Sequence, residues 1–204
     1  TDGILPYMYG VWEDIAVYQT VKTVEGAPEF EEWIMQQPEG TTSYQYGLQY
    51  YKYRVYSKNL KTGEEKTIVD ESENFVWTAD PHMSWGQYVV YQIDRSVYVY
   101  DMETQTSKKL FTHDPGWDFY NYMIQDGHVM VIGGTEDTCR AWAVDIADGS
   151  VIELDTYGEN VVAFSAHYEC NGYFVGLLHA SNNADQYYIS KEDFYRSNYD
   201  GAFR

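Results

Sequence analysis

Six acidic residues stand where a pair of carboxylates could act on a glycosidic bond. These candidates, on predicted loops or inner strands, are Asp80, Asp94, Asp126, Glu136, Asp137 and Glu169. Glycoside hydrolases need only two such groups, one acting as an acid and the other as a base or nucleophile. The chain has 32 acidic residues, and this abundance favours solvated turn carboxylates over a catalytic pair.

Two histidines occupy similar places in the sequence. His82 precedes Gly86 by four residues (86−82) and His167 precedes Gly172 by five (172−167). Both are predicted to lie near an inner strand, where a paired metal or acid–base role is one interpretation. The favoured interpretation is that both histidines simply pack in the fold or occupy polar turn positions.

Aromatic side chains are abundant, with 22 Tyr and 6 Trp. One interpretation is that they fill the contacts between strands and sheets. The other is that some form stacking platforms for sugars or peptides. The candidate binding residues lie near the predicted junctions of repeated segments and are Trp77, Trp85, Trp117 and Tyr120, with His82 and His167 beside them.

Motifs of the common catalytic and cofactor sites are absent. The sequence has no Gly-x-Ser-x-Gly, His-Glu-x-x-His, Cys-x-x-Cys or phosphate-loop pattern. We therefore predict no cofactor, no metal and no catalytic residue, and favour a protein that is not an enzyme. A small glycoside-acting enzyme that uses two channel carboxylates is the alternative.

Charge limits the partners. The net charge is −19 and the sequence pI is about 4.4, so phosphate backbones and anionic membranes would be repelled. No run is long enough for a transmembrane helix.

Since the chain begins at Thr1, either a leader was removed or it is a piece of a longer protein. Cys139 and Cys170 could pair in an exported protein or remain two free thiols.

A repeated pattern supplies the elements that position these residues. Asn59, Asp101, Asp145 and Ser190 recur at steps of 42, 44 and 45 residues (101−59, 145−101, 190−145). A glycine that precedes an inner strand recurs at Gly86, Gly127 and Gly172, at steps of 41 and 45 (127−86, 172−127). A period of about 40–45 residues with four strands each is typical of β-propeller blades. Regularly spaced hairpins also fit a β-sandwich, which stays the alternative.

Three further segments receive their own predictions. Glu29 to Met35 is predicted to be a short helix or a strand, and its apolar spacing favours the helix. From Tyr44 to Tyr56 the tyrosines recur mostly at the spacing of a strand. The tail from Tyr195 to Arg204 is predicted to be a last outer strand or a frayed end.

The segment around Phe75-Val76-Trp77-Thr78, Tyr88 to Tyr91 and Val97-Tyr98-Val99-Tyr100-Asp101 resembles the TolB-type (WD40-like, PD40) β-propeller repeat. Lys61-Thr62-Gly63 and Ala147-Asp148-Gly149 match the second turn of that repeat, whereas the turn after Thr78 departs from it. The resemblance implies an all-β propeller, found in bacterial envelope proteins and beside peptidase domains.

We thus predict an all-β fold, a propeller of about five four-stranded blades or part of a larger one. Residues 1–204 are predicted to form a single domain, either alone or as a fragment of a longer chain. The predicted function is an exported bacterial module, extracellular or in the cell envelope. It would bind a protein, a peptide or a carbohydrate, and no nucleic acid, through an aromatic face or channel.

Overall fold

The computed structural model describes residues 7–72, 84–116, 119–135, 138–157, 161–162, 164–178 and 186–204. The chain divides into two compact units. The first ends at Lys109 and the second begins at Leu110. Each unit is built mainly of antiparallel strands, and short helices lie only between or after them.

The first sheet is an antiparallel meander in chain order. Its strands are β1 (Tyr7–Trp12), β2 (Ile15–Thr23), β3 (Tyr51–Asn59) and β4 (Glu65–Ser72). The two N-terminal strands thus belong to the same sheet as the next pair. Alternation places Val17 and Val55 on the buried face, where both have no exposed surface.

The segment between β2 and β3 is helical, so the strand prediction is wrong for the first part of Tyr44 to Tyr56. It holds α1 (Phe30–Ile34), which confirms the predicted helix, and α2 (Ser43–Tyr50). Tyr46 and Tyr50 are four residues apart on α2, with ring centres 4.9 Å apart, and Tyr46 packs edge-on against Trp33 of α1 at 5.3 Å. This aromatic packing overrides the strand preference of tyrosine.

The second sheet repeats the meander. Its strands are β5 (Ser84–Trp85), β6 (Tyr88–Ile93), β7 (Ser96–Asp101) and β8 (Thr106–Thr112). It shares a core with the first sheet, in which Val17 and Val55 cluster with Val89 and Tyr100. The buried Tyr100 hydroxyl also lies 2.8 Å from the Ser57 hydroxyl of β3.

The second unit contains two further sheets with their own core. The third sheet comprises β9 (Phe119–Gln125), β10 (His128–Thr135), β11 (Thr138–Asp145) and β12 (Val151–Leu154). A ribbon of β13 (Thr156–Tyr157) and β14 (Val161–Val162) leads to the fourth sheet of β15 (Phe164–Cys170), β16 (Tyr173–Leu178) and β17 (Gln186–Ser190). Met130 and Ala143 of the third sheet share a core with Phe174 and Ile189 of the fourth.

The C-terminal tail is neither a full strand nor a frayed end. It forms α3 (Lys191–Tyr195) and a 3₁₀ turn (Tyr199–Gly201), and then pairs through one bridge, Phe203 with Tyr188. The backbone groups of these two residues exchange hydrogen bonds of 2.7 and 2.9 Å. The tail is therefore attached to the outer edge of β17.

Three of the four repeated turn residues, Asn59, Asp101 and Asp145, are structurally equivalent. The Oδ1 atom of Asn59 accepts hydrogen bonds from the backbone N–H groups two and three residues later, at 2.9 Å each. Asp101 does the same at 2.9 and 3.4 Å, and Asp145 at 2.7 and 2.9 Å. The marker glycines Gly86 and Gly127 have φ of +55° and +70° in the turns that enter β6 and β10, a region that favours glycine. These contacts confirm the period found in the sequence.

The fold is all-β and of the propeller type. Each sheet follows chain order, as the blades of a propeller do, whereas sandwiches of the immunoglobulin kind use Greek-key connections. Four such sheets lie in the described part of the chain, three with four strands and one with three. The chain is thus small for a whole propeller and fits part of one.

Candidate functional site

The structure describes no side-chain contacts for the six predicted binding residues. Trp77, His82 and Trp117 lie outside the described residues. For the other three the structure describes the backbone alone: Trp85 pairs with Tyr88, Tyr120 pairs with Gly133, and His167 lies at the register shift between Ala166 and Tyr168. Their roles in binding stay predictions.

The predicted carboxylates separate into two groups. Asp80, Glu136 and Asp137 lie outside the described residues, and Asp94 is exposed in the β6–β7 turn with φ of +50°. Asp126, in the β9–β10 turn, and Glu169, near the end of β15, are brought together instead. The residue that joins them is Lys191, the first residue of α3.

Lys191 is the centre of a polar cluster. Its Nζ atom lies 2.5 Å from Asp126 Oδ1 and 2.5 Å from Glu169 Oε1. The three side chains are partly buried, with exposed fractions of 26, 22 and 32%. Partial burial opposes the charged form of Lys191, but the hydrogen bonds that its ammonium donates to both carboxylates outweigh this effect and raise its pKa. The ammonium also lies 5.8 Å from the centre of the Phe174 ring.

A tyrosine and a histidine extend this cluster. The Tyr195 hydroxyl donates to Asp126 Oδ2 at 3.2 Å and lies 3.1 Å from Nδ1 of His128. His128 Nε2 lies 3.8 Å from Asp145 Oδ2. Burial, followed by the negative charge of Asp126, raises the pKa of Tyr195 far above its ordinary value of 10.0, so this hydroxyl keeps its proton.

This cluster joins three elements. Asp126 belongs to the β9–β10 turn, Glu169 to β15 and Lys191 to α3, and the ammonium occupies the space between the two carboxylates. A glycosidic oxygen would need that space to meet both groups. The arrangement therefore stabilises the second unit and does not present an open acid–base pair.

An exposed aromatic surface on the fourth sheet is the strongest candidate for a binding site. We call it the aromatic face, and its members are Tyr168, Tyr173, Tyr188 and Phe203. Their exposed fractions are 65, 38, 39 and 51%. Phe203 stacks on Tyr188 with ring centres 5.6 Å apart and meets Tyr173 edge-on at 5.7 Å.

The strand register explains why these rings share one side of the sheet. Tyr168 of β15 pairs with Val175 of β16, which in turn pairs with Tyr188 of β17. Directly paired residues point to the same face, and Tyr173 is two residues before Val175. The opposite face carries Phe174 and Ile189, both fully buried in the core. The sheet is thus apolar on both sides. On the second side Val175 is buried, whereas the four rings of the aromatic face are exposed.

The sequence contains a signal for this surface that the predicted binding residues do not include. In Tyr173-Phe174-Val175 and Tyr187-Tyr188-Ile189, apolar residues stand at successive positions, whereas a strand with one exposed face alternates apolar and polar residues. Aromatic residues on both faces of a strand therefore indicated a second apolar surface. Phe203 could not be assigned to this surface from the sequence, because it joins the surface only where the tail pairs with β17.

The two cysteines are separate thiols. Cys139 is buried and Cys170 is exposed, and the structure has no bridge between them. Burial raises the pKa of the Cys139 thiol. Of the two outcomes left open by the sequence, the structure has the free thiols.

Comparison with known proteins gives similarity in structure alone. No family model matches the chain, and no curated protein matches it. The β-propeller domain of the Trilobed protease from Pyrococcus furiosus, described as having an open velcro topology, is 13% identical with a TM-score of 0.48, over 94% of this chain and 56% of that one.

Two further solved structures are similar to the same extent. Oligogalacturonate lyase in complex with manganese is 14% identical, with a TM-score of 0.49 over 93% of this chain and 52% of that one. TolB from Acinetobacter baumannii is 15% identical, with a TM-score of 0.43 over 94% of this chain and 42% of that one. The chain spans about half the length of these structures (42–56%). The TolB-type repeat assigned from the sequence stays a prediction.

Proposed function

We propose that this chain is a non-enzymatic binding module, and that it holds a protein, peptide or carbohydrate partner on the aromatic face of its fourth sheet. The observation that carries the proposal is the exposure of Tyr168, Tyr173, Tyr188 and Phe203 on one side of that sheet. Contiguous apolar surface of this kind is uncommon on soluble proteins and marks interaction sites.

The chemistry of the face suits such partners. Exposed tyrosine rings offer a large apolar area together with a hydroxyl that donates and accepts hydrogen bonds. Tyrosine also loses little rotamer freedom on binding, which is why binding surfaces are rich in it. The stacked pair of Tyr188 and Phe203 is already ordered before a partner arrives, so binding costs less conformational entropy.

Glycan and peptide arrays test this proposal directly. The purified chain should retain a defined set of glycans or peptides, and Tyr188→Ser and Phe203→Ser should each weaken retention about tenfold, as the loss of a binding hot spot does. The matched control is Leu60→Ser, because Leu60 is 52% exposed and belongs to the first unit. Retention that is unchanged in both aromatic variants would refute the role of this face.

A glycoside-acting enzyme is the second candidate, because Asp126 and Glu169 do come together. Lys191 lies between their carboxylates, and this position argues against a free acid–base pair. An assay of the hydrolysis of chromogenic glycosides distinguishes the enzyme from the binding module. Turnover that disappears in both Asp126→Asn and Glu169→Gln would replace the binding proposal with the enzymatic one.

The proposed location is the bacterial cell envelope or the extracellular space. The strongly acidic composition fits an exported protein that avoids anionic surfaces. Within the described ranges, no helix has the length and apolar composition needed to cross a bilayer. Fractionation of the native organism would test the location, and the mass of the native product would show whether the 204 residues belong to a longer propeller.

A further inference from the structure

Charged residues adjacent in sequence to the aromatic face are held on the other side of the fourth sheet. Glu169 directly follows Tyr168 in β15, and neighbouring residues of a strand point to opposite faces. The Glu169 carboxylate accordingly pairs with the Lys191 ammonium at 2.5 Å, and this ammonium lies 5.8 Å from the ring centre of the core residue Phe174. Both charges thus belong to the side opposite the aromatic face.

Arg204 is held in the same way beside the tail. It comes directly after Phe203, yet its Nε atom donates to the Tyr187 hydroxyl at 3.1 Å, and its guanidinium carbon lies 5.4 Å from the centre of the Tyr187 ring. Tyr187 alternates with Tyr188 along β17 and is buried, so it belongs to the core side of the sheet. These charged neighbours are therefore turned away from a ligand that lies on the rings, and this favours a neutral ligand.

The edge of β17 beside the aromatic face is already paired. The Tyr188 N–H donates to the Phe203 carbonyl at 2.7 Å, and the Phe203 N–H donates to the Tyr188 carbonyl at 2.9 Å. A peptide that binds as an added strand uses the main-chain groups of an edge strand, and at Tyr188 these groups are occupied. The rings rather than the backbone must therefore contact a ligand at this place.

The size of the aromatic face fits a short ligand. An aromatic residue has roughly 150–250 Å² of surface, so the exposed fractions of its four members correspond to about 400 Å². A stable interface with a folded protein takes about 800 Å² from each partner, which is more than these rings alone supply. Tyr168 and Tyr188 lie on strands two spacings apart, roughly 9.5 Å, so a ligand of a few ring-sized units would span the face.

Polar groups beside the rings can both donate and accept hydrogen bonds. Tyr168, Tyr173 and Tyr188 carry hydroxyls. Gln186, two residues before Tyr188 on the same side of β17, adds an exposed amide. A sugar has hydroxyls that need partners of both kinds, and its C–H groups pack on the negative face of an aromatic ring. A proline-rich peptide also docks on aromatic surfaces, but it brings fewer donors because proline lacks an N–H group.

We infer that the partner held on the aromatic face is a neutral oligosaccharide, an inference that rests on the proposed function. Its pyranose rings stack on the exposed rings of Tyr168, Tyr188 and Phe203. The Tyr173 hydroxyl and the Gln186 amide bond its hydroxyls and orient it along the sheet. Because the ligand is uncharged, its affinity should change less than about twofold between about 50 mM and about 500 mM NaCl.

Titration of the ¹⁵N-labelled chain with cellohexaose, mannohexaose and xylohexaose tests the inference. At least one of these neutral sugars should cause saturable shifts of the Tyr168, Tyr173 and Tyr188 amide signals, with a dissociation constant of about 0.1–1 mM. Tyr188→Ser and Tyr168→Ser should each weaken this binding about tenfold, because each removes a stacking ring. Tyr188→Phe keeps the ring and should weaken binding less than about threefold. The control is Met35→Ser, which removes a 78% exposed apolar side chain from the first unit and should leave the affinity unchanged.

The same titration separates this inference from the proposed function. Absence of saturable shifts with all three sugars would overturn the oligosaccharide assignment. If decaproline then shifted the amides of Tyr173 and Tyr188, the aromatic face would stand as a binding site for peptides. If a sugar bound equally well to Tyr188→Ser, Tyr168→Ser and Met35→Ser, the aromatic face would not be the site, and the proposed function would fail together with the inference.

Discussion

Lys22 lies directly opposite Lys52 in the regular ladder between β2 and β3. Opposed like charges cost stability in an antiparallel sheet, and this pair occurs in a chain with few cations. The pair therefore makes a prediction about stability.

Replacement of Lys22 by threonine should stabilise the chain in the absence of ligand. The variant removes the repulsion and places a β-branched residue in a strand, so the free energy of unfolding should rise by about 0.5 kcal/mol. Urea denaturation of both proteins at low salt measures this difference. Lys61→Thr, which loses the ion pair with Asp14, should show no gain, and a less stable Lys22→Thr would contradict the argument.

The side chain of Asp101 holds the turn between β7 and β8. It accepts from the backbone of Glu103 at 2.9 Å and from the Gln87 amide at 3.0 Å. Asp101→Ala should lower the free energy of unfolding by about 1.5 kcal/mol, because both bonds are lost. Glu103→Ala, in the same exposed turn, is the comparison and should have little effect. Equal stability of the two variants would show that the repeated acidic residue is not structural.

Lys191 should contribute more to stability than an exposed cation does. Lys191→Met leaves Asp126 and Glu169 close together without their ammonium, and should cost about 1–2 kcal/mol, less than for a fully buried pair because these groups are partly exposed. The control is Arg196→Met, whose ion pair with Glu192 is about 70% exposed on both sides. That change should cost less than about 0.5 kcal/mol. Equal costs, measured by urea denaturation, would show that the cluster does not hold the second unit together.

Tyr195 should make the chain sensitive to alkaline pH. Burial and the charge of Asp126 raise its pKa, whereas in the unfolded chain a tyrosine ionises near pH ~10. Above that pH the unfolded state releases a proton that the folded state keeps, so stability falls as the pH rises, by up to about 1.4 kcal/mol per unit for one group. Tyr195→Phe should therefore show a shallower loss of stability between about pH 10 and pH 11.5.

Comparison of Tyr195→Phe with the wild type isolates this pH dependence. Thermal unfolding in matched buffers is the measurement. If Tyr195→Phe and the wild type lost stability in parallel, Tyr195 would not be the group responsible.

The repeat was predictable because short polar turns encode their own geometry. Asn59, Asp101 and Asp145 each bond the backbone two and three residues later, and a side-chain oxygen at that spacing is readable from sequence. Ser190, the weakest member, shows the limit of the pattern. Its hydroxyl accepts from the Asp193 N–H at 3.1 Å and caps α3, so the same spacing there begins a helix.

The helix α2 was missed although its start was present in the sequence. Thr42 and Gln45 have the spacing of a capping box, and the Thr42 N–H donates to Gln45 Oε1 at 2.8 Å. The strand-like spacing of the tyrosines in the same segment favours a strand and conflicts with this signal. The aromatic face and the lysine pair depend on strand register, which places residues such as Lys22 and Lys52, 30 positions apart (52−22), side by side. Single-sequence spacing does not supply that register.

Hydroxyl-radical footprinting tests the central claim most directly, which is that the fourth sheet binds its partner through exposed aromatic rings. The free chain and the chain with a saturating array-derived ligand would be oxidised and compared by mass spectrometry. The account predicts that the ligand lowers the oxidation rates of Tyr168, Tyr188 and Phe203 several-fold and leaves Met35, which is 78% exposed, unchanged. Protection elsewhere, with these three rings oxidised as in the free chain, would contradict it.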